Sequence, residues 1–237
     1  MPIELPVLGT DERYTVAPTK IICLGLNYRD HIAESESVRV QGFGHDVPTE
    51  PVLFPKLPSC LIGPADTIRL PKIAESYGFD SVRTDYEAEL AVIIGARCRN
   101  VDESDALSVV FGYTCANDVS QRNIQNGDRS GWFRGKSFDT FLPVGPAVVP
   151  AARIADVQSL RIRATLNGSV VQESSTSAMI FTVARMISYI SRNFTLERGD
   201  LILTGTPSGV GPLSDGDTID VTIESIGTLT NTVGREQ

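Results

Sequence analysis

The sequence predicts an α+β fold dominated by short strands. Three observations point there. Apolar runs are short, rich in β-branched residues and closed by glycine, as in Lys20–Gly25 and Glu87–Gly95. Only one extended stretch has a convincing helical apolar face. Strands and helices do not alternate in the regular βαβ order of a doubly wound parallel sheet.

Taken in order, residues 1–19 read as an irregular leader, and 20–237 as a single domain. KIICLG at 20–25 reads as a buried strand. Residues 28–50 are polar and carry Gly42, Gly44 and Pro48. Long ordered loops of this kind serve as lids or binding loops. EAELAVIIG at 87–95 is a second strand, Asp102–Val110 a short helix, and Phe111–Val119 a strand entering a turn. LRIRATLNGSVVQE at 160–173 is a hairpin turning on Asn167-Gly168. Met179, Val183, Met186, Ile187 and Ile190 share one helical face, with N-cap candidates at Ser175 to Ser177. Three short strands follow, at Leu201–Thr204, Thr218–Ile223 and Thr228–Val233.

Length and composition suit an ordinary globular domain: 237 residues, 41% hydrophobic and 21% charged. The net charge of −8 disfavours nucleic acid and anionic membrane as partners. The N-terminal MPIELPVLGT lacks the basic and apolar regions of a signal peptide, and no apolar run reaches membrane-spanning length. A cytoplasmic location is expected. Cys23, Cys60, Cys98 and Cys115 form no CxxC pair and read as buried, reduced thiols.

Glu87 and Glu89 carry the strongest chemical signal. Two residues apart on a strand, they face one side, about 6.5–7 Å apart along the chain. The apolar run that follows implies burial, and paired buried carboxylates need a compensating cation. Mg²⁺ or Mn²⁺ would meet that need through oxygen ligands, with Ca²⁺ as a substitute. A solvated edge with Arg or Lys partners is the alternative. Asp118 ends the apolar stretch FGYTCAND and reads either as a turn residue or as a third ligand. A dense polar and cationic run follows it: Arg122, Gln125, Arg134 and Lys136. Asp85 reads as a strand-start residue supporting the pair. Lys56 suits either the surface or the substrate side.

GLNYRDH at 25–31, FPK at 54–56, DYEAEL at 85–90, GYTCANDVSQRNIQ at 112–125, KSFDTFLPVGP at 136–146 and LTGTPSGVG at 203–211 together resemble the fumarylacetoacetate hydrolase superfamily. The order and spacing agree over roughly residues 20–233. The resemblance implies a mixed β-roll, usually in a homodimer, and a divalent metal held by Glu87, Glu89 and Asp118. It implies that Lys136 faces the substrate and stabilises an enolate. Arg122 and Gln125 match positions near substrate oxygens, and Thr206 one that binds the substrate carboxylate. His31 and Glu34 match a lid pair that handles a proton or water. The expected substrate is a small anionic 2-oxo acid. C–C hydrolysis of an acylpyruvate is the first expectation; decarboxylation or keto–enol isomerisation is the alternative, and an inactive metal-binding relative the non-enzyme one. The segments 35–48 and 72–84 depart from the usual pattern and are expected near the pocket entrance.

Other motifs point elsewhere only weakly. TGTPSGVG lacks the GK[ST] ending of a phosphate loop, and no G-x-S-x-G elbow is present. With only His31 and His45, a histidine-rich zinc site is improbable. His45 reads as solvent-facing, and Trp132, Phe138 and Phe141 as packing residues.

Overall fold

A computed structural model describes residues 3–34, 47–127 and 132–236. The predicted β-rich architecture is what it shows. The strands used below are β1 (Ile3–Pro6), β2 (Arg13–Val16), β3 (Ile21–Gly25), β4 (Val52–Lys56), β5 (Leu61–Ile62), β6 (Thr67–Leu70), β7 (Thr84–Tyr86), β8 (Ala88–Ile94), β9 (Val110–Asn117), β10 (Ser120–Gln121), β11 (Leu142–Pro150), β12 (Arg161–Leu166), β13 (Ser169–Ser175), β14 (Leu201–Leu203), β15 (Gly211–Pro212), β16 (Thr218–Ile223) and β17 (Gly227–Arg235).

A seven-stranded mixed sheet runs in the order β4-β3-β14-β8-β9-β11-β5. β14 lies parallel to β3 and antiparallel to β8. A five-stranded sheet, β13-β12-β16-β17-β6, packs over β8, β9 and β11. Every residue of β8 is buried, which explains its unbroken apolar run: one face meets the second sheet and the other the body of the protein. Leu90, Ile93 and Ile162 are among the largest fully buried side chains, each worth about 1.5–3 kcal/mol of burial. A small antiparallel ribbon, β10-β7-β15, sits beside the large sheet and brings the start of the β8 segment next to the 204–211 turn.

Several expectations need correction. The first residues are not irregular: β1 and β2 pair antiparallel, burying Leu5 and Val16, and Val7 bridges to Val148. Alternation in IELP and RYTV is weak, so the hairpin is decided by packing on β11 rather than by its own pattern. The amphipathic helix is Val183–Asn193, and its N-cap is Thr182, whose side chain accepts from the Arg185 amide. Ser175 instead caps a short 3-10 turn, and Met179 precedes the helix and bridges to Tyr28. The short helix expected at 102–110 is a 3-10 helix, Glu103–Val109. The Asn167-Gly168 hairpin forms as expected, with both residues at positive φ. Among the described residues, no helix is long and apolar enough to cross a membrane.

All four cysteines are free, and Cys23, Cys60 and Cys115 are buried. Burial pushes the Cys60 thiol up to about 11 and that of Cys115 to about 12. A thiol is inert while protonated and inaccessible. Titration with an aromatic disulfide at pH 8 should therefore register at most Cys98 in the folded protein and all four thiols in denaturant. Fast reaction of a second thiol would show that the core opens locally.

Candidate active site

The site begins at a break between two strands. β7 ends at Tyr86 and β8 starts at Ala88, so Glu87 falls outside both ladders. Its amide donates to the Asn117 side-chain oxygen at 2.9 Å, and its carbonyl accepts from the Asp118 amide at 2.9 Å. Chain segments 87–89 and 117–118 are thereby held side by side. The carboxylates of Glu87, Glu89 and Asp118 each place an oxygen within 4.8 Å of the others, and all three residues are buried.

Cations surround two of these three. The Lys136 ammonium donates to Glu87 at 2.5 Å and Asp118 at 2.7 Å. Lys56 donates to the other Asp118 oxygen at 2.6 Å and to the Val119 carbonyl at 3.3 Å. Arg122 spreads over Glu87 at 2.5 Å, Asp85 at 2.8 Å and Gln125 at 2.8 Å. Burial alone would push the Glu87 carboxyl up, but the Lys136 and Arg122 charges outweigh it and hold the carboxyl well below the usual range. Burial would likewise lower Lys136, and the Asp118 and Glu87 carboxylates raise it instead.

Glu89 is different. Its carboxylate accepts from the Gly205 amide at 2.7 Å, and no cationic side chain among the described residues contacts it. Burial, then the negative charges of Asp118 and Glu87, push it well above the usual carboxylate range. Three converging hard oxygen donors, one lacking a counter-charge, fit a divalent oxygen-seeking cation.

A histidine–carboxylate pair adjoins the same cavity, with His31 in its lining. In the helix Arg29–Glu34, His31 Nδ1 lies 3.2 Å from a Glu34 carboxylate oxygen, the i,i+3 spacing expected of one helical turn. Glu34 also accepts from the Gly209 amide at 2.9 Å. Burial works against the Glu34 anion, but the bonds from His31 and Gly209 leave its carboxyl lowered, hence ionised. Gly209 has φ +94°, and a Cβ there would come within 2.2 Å of the Val171 carbonyl, so the turn requires glycine.

His31, Glu87, Glu89, Gln125, Lys136 and Thr206 line one cavity, closed on its apolar side by Leu24, Leu26, Phe54 and Trp132. Two expectations of substrate contact meet a different placement. Lys56 and Arg122 are not among the residues lining this cavity; each turns its charge onto a buried carboxylate, Asp118 or the Asp85–Glu87 pair, adding to the Lys136 contacts with Asp118 and Glu87 and the Arg83 contact with Asp85. Segment 72–84 does not line it either. It brackets the helix Arg122–Gly127 through the Ser81 carbonyl, to which Asn123 donates, and meets Arg134 through the Tyr77 hydroxyl at 2.8 Å. His45 and residues 35–46 of the expected lid lie outside the described residues.

The sequence profile described as "Fumarylacetoacetate (FAA) hydrolase C-terminal" matches residues 20–234. The chain belongs to the fumarylacetoacetate hydrolase family. Among its relatives, the mitochondrial oxaloacetate tautomerase FAHD2A of Bos taurus is 41% identical over 243 residues, covering 97% of this chain and 72% of that protein. A 2,4-didehydro-3-deoxy-L-rhamnonate hydrolase of Sphingomonas sp. is 42% identical over 236 residues, covering 95% and 78%. The crystal structure of fumarylpyruvate hydrolase from Pseudomonas aeruginosa in complex with Mn²⁺ and pyruvate superposes with a TM-score of 0.82 at 30% identity, covering 99% of this chain and 97% of that one. These family members are enzymes, and they include hydrolases and tautomerases.

Sequence reasoning missed two residues that shape this site. Asn117 ties Glu87 to the β9 end, and Gln172, on β13 of the second sheet, reaches the β8 start at the Ala88 amide. Asn117 stands beside Asp118 in the motif and could have been read from it. Gln172 lies 85 residues beyond Glu87, and its arrival depends on a bulge in the β12–β13 pairing.

Proposed function

We propose that the protein is a divalent-metal-dependent enzyme that forms the enolate of a small anionic 2-oxo acid and hydrolyses the C–C bond of an acylpyruvate-like 2,4-dioxo acid. The observation that carries this reading is the convergence of Glu87, Glu89 and Asp118 beside Lys136, with His31, paired to Glu34, on the same cavity. Mg²⁺ or Mn²⁺ held by the three carboxylates would supply Lewis-acid stabilisation at the substrate's 2-oxo oxygen. The Mn²⁺ and pyruvate bound by the similar fumarylpyruvate hydrolase support this assignment.

The chain's own residues then divide the work. Lys136 brings a positive charge to the cavity wall, where negative charge develops in the enolate. Thr206 offers a hydroxyl to the substrate carboxylate. The His31 Nδ1–H donates a hydrogen bond to the Glu34 carboxylate, which leaves Nε2 as the acceptor for a proton from water. Glu34 is itself anchored by Gly209, so the ring orientation is set before substrate arrives. Lys56 and Arg122 act one step back, Lys56 orienting the Asp118 carboxylate and Arg122 that of Glu87.

Oxaloacetate keto–enol tautomerisation is the second reading, favoured by the 41% identity to the bovine tautomerase. It shares the enolate but needs no attacking water. A panel of acetylpyruvate, fumarylpyruvate, oxaloacetate and a hydroxymuconate-type dienoate with Mn²⁺ separates the two. His31→Ala should lower acylpyruvate hydrolysis by about 10²-fold or more, the usual contribution of a general base, with Mn²⁺ affinity retained. Hydrolysis unchanged in this variant would remove His31 as the base. A wild type that only exchanges enol and keto forms would select the tautomerase.

A further inference from the structure

Given the 2-oxo acid reading above, we infer that Gln172 is a positioning residue that makes Thr206 a hydrogen-bond donor toward the substrate carboxylate. Gln172 is 1% exposed, and its side chain bridges three parts of the fold. Its oxygen accepts from the Ala88 amide at 3.0 Å, between Glu87 and Glu89. Its nitrogen donates to the Pro207 carbonyl at 2.8 Å, to the Thr206 hydroxyl oxygen at 2.9 Å and, more weakly, to the Ser208 carbonyl at 3.4 Å.

These partners leave no freedom in the amide's orientation. A backbone N–H can only donate, so the Gln172 end facing Ala88 is the oxygen. A backbone carbonyl can only accept, so the end facing Pro207 and Ser208 is the NH₂ group. Thr206 Oγ1 must then accept from Gln172. A hydroxyl that accepts at its oxygen still has its own proton to place. No acceptor for that proton is found among the described residues, and Thr206 lines the cavity. The proton is therefore available to an anionic oxygen entering the cavity, where a charge-assisted bond is stronger than a neutral one.

The same amide sets the turn as a whole. By holding the carbonyls of Pro207 and Ser208, it fixes the backbone immediately before Gly209, whose amide anchors Glu34. One side chain thus links the strand carrying Glu87 and Glu89 to both the carboxylate donor and the base pair. Its principal effect is on binding, because Thr206 meets the substrate carboxylate in ground state and transition state alike.

Two substitutions of Gln172 separate direction from mere packing. Gln172→Met keeps much of the volume and loses every polar contact. Gln172→Glu keeps an acceptor for Ala88 but replaces the donor by a second acceptor. Thr206 would then turn its proton onto that carboxylate and offer the substrate only lone pairs. On the Mn²⁺-loaded enzyme, Gln172→Met should raise KM about 10-fold, the cost of one good hydrogen bond to a charged group, and kcat should stay within about 3-fold. Gln172→Glu should raise KM further. Pyruvate binding measured by calorimetry should weaken in parallel, with Mn²⁺ affinity unchanged. In a Thr206→Val background, Gln172→Met should have almost no further effect on KM, because the group through which it acts is gone.

Equal losses in both backgrounds, or a fall in kcat and Tm with KM intact, would overturn the assignment and leave Gln172 a packing residue. So would a Gln172→Glu variant that binds pyruvate as well as Gln172→Met does. A wild type that neither binds pyruvate nor turns over any 2-oxo acid would overturn the functional reading itself, an outcome distinct from an active enzyme indifferent to Gln172.

Discussion

Replacing Glu89 with glutamine should abolish Mn²⁺ binding and metal-dependent turnover while leaving the metal-free protein as stable as wild type or more so. The sign of the second effect follows from the site's electrostatics. Glu89 is buried beside Glu87 and Asp118 and has no cationic partner among the described residues, so its ionised form is disfavoured in the absence of metal. A glutamine of the same shape can still accept from the Gly205 amide, which now bonds the carboxylate at 2.7 Å. Its NH₂ group would face the two neighbouring carboxylates, an attraction replacing a repulsion. Wild-type Tm should rise on adding Mn²⁺, since a ligand at 100 times its Kd stabilises by about 2.7 kcal/mol. The Glu89→Gln Tm should not move. Chelator treatment of wild type should remove activity, and Mn²⁺ or Mg²⁺ should restore it.

A pH dependence accompanies this. The Glu89 carboxyl is raised above its ordinary value in the metal-free fold, so at any pH below that raised value metal binding expels a proton from it. Apparent Mn²⁺ affinity should therefore be greatest above that raised value and fall as pH drops through it. Calorimetry across buffers of different ionisation enthalpy would detect the released proton. Full activity after verified metal removal, or unaltered Mn²⁺ binding by Glu89→Gln, would end the assignment of these three carboxylates as ligands.

Much of the architecture and the site's cast was legible in the sequence because its signals are local. The β8 run is apolar on both faces, so a central strand follows from it, and the two glutamates at its start stand out against it. His31 and Glu34 need only one helical turn to meet. The carboxylate partners of Lys56 and Arg122 were not legible, since both depend on which acid lies across the fold. Arg122 meets Asp85, 37 positions away, and Lys56 meets Asp118, 62 away. Gln172 was hidden by a register shift. Without the bulge between Ala164 and Thr165, it would pair with Arg163 on the exposed face; with the bulge it pairs with buried Ala164 and points inward. A one-residue slip reverses which face a strand residue occupies, and the sequence of a hairpin does not announce it.

Lys136→Met should lower kcat by about 10²–10³ even when the variant is saturated with Mn²⁺, the scale expected for losing a preorganised charge at the developing enolate. Two further effects follow from its position between Glu87 at 2.5 Å and Asp118 at 2.7 Å. Removing one partner from a buried ionic cluster leaves uncompensated charge, so the metal-free variant should lose about 3–5 kcal/mol of stability. The same change removes a positive neighbour from the carboxylates proposed to hold the metal, so Mn²⁺ should bind at least as tightly as in wild type. These three signs together distinguish a chemical role from a structural one. If Lys136 served only to neutralise Glu87 and Asp118, Mn²⁺ would replace it in that role, and saturation with metal would restore Tm and kcat together. In the proposed mechanism the metal restores Tm and leaves kcat depressed, because a charge on the ligand side of the carboxylates cannot substitute for one on the cavity wall. Tm, Mn²⁺ affinity and kcat measured on one preparation of the variant supply the test. Recovery of wild-type kcat at saturating Mn²⁺ would overturn the role of Lys136 at the enolate and leave it as a stand-in cation.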